Sequence, residues 1–67
     1  MFDFQEALSY IKSGLVVGLT IDGKERRYYL NQFGDVMCTP NGKEHLTYKV
    51  RKFEIDAVMS SNWKLFS

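Results

Sequence analysis

Residues 3–14 write one short amphipathic helix with both ends marked, and that helix decides what the rest of the chain must do. Asp3 is a good N-cap, and Glu6 three residues later completes a capping-box-like pair. Phe4, Ala7, Leu8 and Ile11 fall at i, i+3, i+4 and i+7 and form one apolar stripe. Lys12 suits the negative end of the helix dipole, and Gly14 suits the C′ position. A stripe of this kind needs a surface to cover, and the segments that follow have the alternation of strands.

Leu15, Val17, Leu19 and Ile21 alternate with Val16, Gly18 and Thr20, which is strand spacing with one apolar face. Asp22-Gly23 predicts a tight hairpin, with residues 25–31 as the return strand. That strand has no purely apolar side. One face carries Glu25, Arg27, Tyr29 and Asn31, the other Arg26, Tyr28 and Leu30. A turn at 33–35 leads to a short strand at 36–39, stopped by Pro40, and Asn41-Gly42 centres a second turn. Residues 45–50 read as a fourth strand with Leu46, Tyr48 and Val50 on one face. Residues 55–61 read as a helical turn or two with Ile55, Val58 and Met59 facing inward, and residues 62–66 as a last strand. The expected architecture is α+β: an N-terminal helix packed on a small antiparallel sheet, with a short helical turn before the last strand. No linker, repeat or low-complexity run divides the chain, so residues 1–67 read as a single domain.

Size then limits function. A chain of 67 residues buries only about 60% of its unfolded surface, so one core is marginal. One cysteine, Cys38, cannot form an internal disulfide, and one histidine, His45, leaves too few ligands for a closed zinc site. Oligomerisation is the remaining supplement, and ten aromatic residues (five Phe, four Tyr, one Trp) can serve subunit contacts or a ligand. The net charge of +1 argues against a binder of nucleic-acid polymers. The longest uncharged apolar run, residues 15–19, is too short to span a bilayer. Asp3 and Glu6 lie where a secretory leader would carry positive charge, which predicts an intracellular protein with no membrane partner.

Four groups of side chains can carry chemistry. Arg26-Arg27-Tyr28-Tyr29 joins guanidinium forks for phosphate to rings for stacking, although cross-strand packing is the commoner part for such residues. Lys43, His45, Lys49, Arg51 and Lys52 form a second basic cluster, diluted by Glu44 and Glu54, and such clusters are usually solvated surface. Asn62 and the serines before it can hydrogen-bond a ribose or base edge beside Trp63, which otherwise anchors the core. His45 has no orienting partner at a readable spacing, so no catalytic motif is present. No glycine-rich phosphate loop occurs either.

Two blocks carry a resemblance. Phe4-x-x-Ala7-Leu8-x-x-Ile11-Lys12-x-Gly14-x-x-Val17 resembles the opening of the small phage anti-defence "sponge" proteins of the Thoeris anti-defence 2 type, and anti-CBASS sponges look similar. The ending Ile55-Asp56-Ala57-Val58-Met59-Ser60-Ser61-Asn62-Trp63-Lys64-Leu65 is similar to the closing block of that family. The resemblance implies a homo-oligomer, often a tetramer, in the host cytoplasm. It would bind a cyclic nucleotide or ADP-ribose-derived immune signal and sequester it without cleavage, with no cofactor and no enzymatic step. Leu19 and Ile21 stand where the family commonly carries an arginine and a tryptophan, so ligand contacts have to come from other positions. The expected set is Arg26, Arg27, Tyr29, His45, Asn62 and Trp63, joined by Tyr10 from the helix end. A cyclic dinucleotide is the preferred ligand, since two phosphates and two bases suit paired arginines and tyrosines from adjoining subunits. The competing expectation is a phage protein that inhibits a host protein by docking on it directly.

Overall fold

A computed structural model describes residues 1–66 and has the expected α+β architecture. The N-terminal helix, α1 (Phe4–Lys12), begins where Asp3 Oδ1 accepts the Glu6 N–H at 3.0 Å. It ends in a Schellman motif: the Gly14 N–H donates to Ile11 O and the Leu15 N–H to Tyr10 O, both at 3.0 Å. Gly14 takes φ +88°, which a side chain would strain.

The five strands are β1 (Val17–Ile21), β2 (Lys24–Leu30), β3 (Val36–Pro40), β4 (Tyr48–Lys49) and β5 (Lys64–Leu65). They lie in the order β4-β3-β2-β1-β5, with every named pairing antiparallel. Asp22 and Gly23, both at positive φ, make the hairpin turn between β1 and β2. At the next turn Asn31 Oδ1 accepts the N–H groups of Phe33 and Asp35, at 2.9 and 3.0 Å. That bracket sets the β2–β3 register, in which Tyr28 faces Cys38 and Arg27 faces Thr39.

Two expectations change. The fourth strand shrinks to Tyr48–Lys49, because residues 44–46 coil into a 3-10 turn. A direct hairpin through Asn41-Gly42 would set His45 opposite buried Cys38. Looping out three residues sets Tyr48 there instead. An odd shift exchanges the two faces of a strand, so this one moves a titratable histidine away from the core.

The second change concerns the short helix α2 (Ile55–Met59). Ile55 and Met59 are 71% and 74% exposed, Val58 is also exposed, and Ala57 is the buried residue. The cause is Trp63, whose indole Nε1–H donates to Ala57 O at 3.0 Å. A small side chain must face the ring at that close approach, which rolls the larger ones outward.

One layer of helix covers one face of the sheet. Ala7 and Ile11 from α1 and Ala57 from α2 meet Val17, Leu19, Tyr28 and Cys38 from the strands. Trp63 sits among them at 0% exposure, its ring 5.1 Å from Tyr28 and 6.0 Å from Phe4 between centroids. Phe53 closes the cluster, 4.9 Å from Phe4 and 5.3 Å from Tyr28. Aromatic pairs at these separations contribute beyond their buried area, which matters in so small a core. No described helix is long and apolar enough to cross a membrane.

Candidate functional site

Strand alternation separates Arg26 from Arg27. Arg26 shares the helix-covered face with Tyr28, and its guanidinium meets the Glu54 carboxylate at 3.1 Å. Burial opposes the Arg26 charge, but contacts with Tyr28 and Glu54 outweigh it and hold its pKa above the ordinary value. Burial pushes the Tyr28 hydroxyl up to about 12, with Arg26 pulling the other way and Cys38 adding to the rise. The Tyr48 hydroxyl is also raised, chiefly by the neighbouring Cys38 thiol and then by desolvation. Arg26 is thus paired with Glu54 at the margin of the covered face.

Arg27 lies on the other face, which neither described α-helix covers. There a depression of about 530 Å³ is lined by Val16, Arg27, Tyr29, Thr39, Glu44 and Thr47. Arg27 comes from the middle of β2, and Thr39 is its cross-strand neighbour on β3. Thr47 reaches the same place because the 3-10 turn brings it back, and its hydroxyl lies 2.8 Å from that of Thr39. The turn also places Glu44 at the margin.

Arg27 is held on several sides. Its Nε meets Glu25 Oε1 at 3.4 Å, and Lys64 Nζ meets the other oxygen of Glu25 at 3.8 Å. Its Cζ lies 3.9 Å from the centroid of the Phe66 ring. Since Nε is occupied by Glu25, the Nη hydrogens remain as the free part of the fork. Chemically the hollow offers one guanidinium for a phosphate, two hydroxyls, one tyrosine ring and one carboxylate that accepts N–H groups. With Glu25 and Glu44 close by, the local charge is mixed. A bare polyanion is poorly matched, whereas a ligand carrying both phosphate and hydrogen-bond donors is well matched.

Of the seven expected ligand contacts, Arg27 and Tyr29 line the depression, and exposed His45 lies beside Glu44 in the 3-10 turn. Arg26 points to the helix-covered face against Glu54 and does not line the depression. Trp63 is a core residue and offers no surface, which corrects its place in the expected set. Tyr10 packs on Phe2 in the helix layer with ring centroids 4.9 Å apart. Asn62 is exposed in the turn before β5, where its backbone N–H donates to Ser60 Oγ at 3.0 Å. Neither lines the hollow. Thr39, Thr47, Glu44 and Phe66 were outside the expectation. Thr39 was within reach, because pairing across the 31–35 turn puts it opposite Arg27. Thr47 and Glu44 depend on the 3-10 turn, which leaves no periodic signal. Among the described residues no group of three His, Cys, Asp or Glu side chains gathers as a metal site.

Compared with protein-family models, with curated proteins and with solved structures, the chain matches none.

Proposed function

We propose that this protein is a phage immune-evasion protein that binds a cyclic-dinucleotide-type defence signal in the host cytoplasm and holds it intact. The supporting observation is the uncovered sheet face, where the free Nη edge of Arg27 shares one hollow with Tyr29, the Thr39–Thr47 hydroxyl pair and the Glu44 carboxylate. Phosphate suits the guanidinium, a base suits the tyrosine ring, and the N–H groups of a base edge suit the carboxylate. The resemblance of the two chain ends to the sponge proteins supports the same reading.

One chain offers one arginine to such a ligand, whereas a cyclic dinucleotide has two phosphates. The site therefore takes two copies, in keeping with the homo-oligomer, often a tetramer, that the resemblance implies. The hollow is shallow for so polar a ligand, and a second copy also supplies the missing wall.

The test is a calorimetric titration with a panel of cyclic dinucleotides, followed by desalting, heat denaturation and chromatography of the released material. The expected result is sub-micromolar binding and recovery of unchanged nucleotide. Absence of binding at micromolar concentrations overturns the proposal, and recovery of cleaved nucleotide replaces it with an enzyme. Direct inhibition of a host protein is the second reading, and the outward-facing Ile55, Val58 and Met59 favour it. A stable complex with a host protein, formed without affinity for any nucleotide, would select it.

A further inference from the structure

We infer that Phe66, laid across Gly18, is a positioning residue that sets the Arg27 guanidinium for phosphate capture. The inference rests on the nucleotide reading above and names the device that makes one solvent-facing arginine effective. Gly18 sits opposite Arg27 in the β1–β2 register and has no side chain to fill the uncovered face. A Cβ built on Gly18 would stand 2.9 Å from Phe66 Cδ2, inside the contact limit. A glycine within a strand weakens it and commonly marks a close approach of this kind. Here the group that approaches is an aromatic ring.

The ring is delivered by the backbone. The Phe66 N–H donates to Val16 O at 2.8 Å, which continues the β1–β5 pairing by one step and brings the ring over Gly18. Arg27 Cζ then lies 3.9 Å from the ring centroid, well within cation–π range. One more element restrains the same group: Glu25 takes Nε. One face and Nε of the guanidinium are thus committed, and the hollow receives what is left.

A free arginine loses much rotamer freedom when it grips a ligand, and a stacked one has already lost it. The brace therefore acts on affinity through Arg27 without touching the ligand. Neither Phe66 nor Gly18 carries a group that would itself recognise a nucleotide.

The experiment compares wild type with Phe66→Leu, Phe66→Trp and Gly18→Ala in calorimetric titrations with cyclic di-GMP. Urea unfolding and the NMR shifts of the Arg27 δ-methylene in the free protein are read in parallel. Leu keeps an apolar side chain and removes the π face, whereas Trp keeps the face. The expected result is a loss of about three- to thirtyfold in affinity for Phe66→Leu. Phe66→Trp should bind like wild type, and the upfield ring-current shift of Arg27 should vanish in Phe66→Leu alone of the two. Gly18→Ala should weaken binding as Phe66→Leu does, through displacement of the ring. Equal affinity of Phe66→Leu and wild type, or equal losses for Leu and Trp, overturns the inference and leaves the nucleotide reading standing. No binding of any cyclic dinucleotide of the panel by wild type overturns both.

Discussion

Two adjacent arginines in one strand lie on opposite faces, and single substitutions should separate their roles. Arg26 lies on the covered face against Glu54 and Tyr28, while Arg27 opens onto the hollow. From sequence the alternation of the two faces was readable, but which face the helix covers was not, because each carries an arginine and a tyrosine. Trp63 is the opposite case. Its chemistry suited either a ligand platform or the core, and the bond from Nε1 to Ala57 O assigns it to the core. Trp63→Phe should leave that carbonyl without its donor and cost about 1–3 kcal/mol in urea unfolding. An unchanged midpoint would contradict that role. Tyr28 gives a pH signature. Its pKa is raised in the folded state from 10.0 to about 12, so the folded protein holds this proton more tightly than the unfolded chain. The stabilisation is therefore complete below pH 10 and is lost as pH rises toward 12. Alkaline unfolding of wild type against Tyr28→Phe should show this component in wild type only.

The helix and turns were legible because their signals are local. Asp3 caps α1 as its residue type predicts, and Asp3→Ala should cost about 1 kcal/mol by thermal or urea unfolding. Asp22-Gly23 and Asn31 act within a few residues of themselves, so their geometry follows from their own chemistry. Elements whose placement depends on distant partners were not legible. The outward roll of α2 is imposed by Trp63 from the next segment, and the register of β4 follows from the 3-10 turn, which sets Tyr48 opposite Cys38. The first illustrates a tertiary contact overriding a local apolar pattern. The outward roll has a direct check. Ile55→Ser and Met59→Ser should each change the stability of the isolated chain by less than about 0.5 kcal/mol, since exposed positions rarely matter more. A loss of 2 kcal/mol or more, typical of core truncation, would show that these side chains are covered.

At the scale of the molecule, one helical layer covers one sheet face and leaves the other to solvent or a ligand. Among the described residues no α-helix covers that face, and the hollow formed by Arg27, Tyr29, Thr39, Glu44 and Thr47 lies on it. The same hollow accounts for the proposed assembly, because a single one provides one guanidinium, one tyrosine and two hydroxyls. The most direct measurement of the account loads wild type, Arg26→Ala and Arg27→Ala with cyclic di-GMP. Each is desalted and heated, and the released nucleotide is quantified. Wild type and Arg26→Ala should release intact nucleotide in proportion to the folded protein present, while Arg27→Ala releases almost none per folded protein. Equal release from Arg27→Ala and wild type, or loss of binding confined to Arg26→Ala, would contradict the assignment of the ligand to the uncovered face.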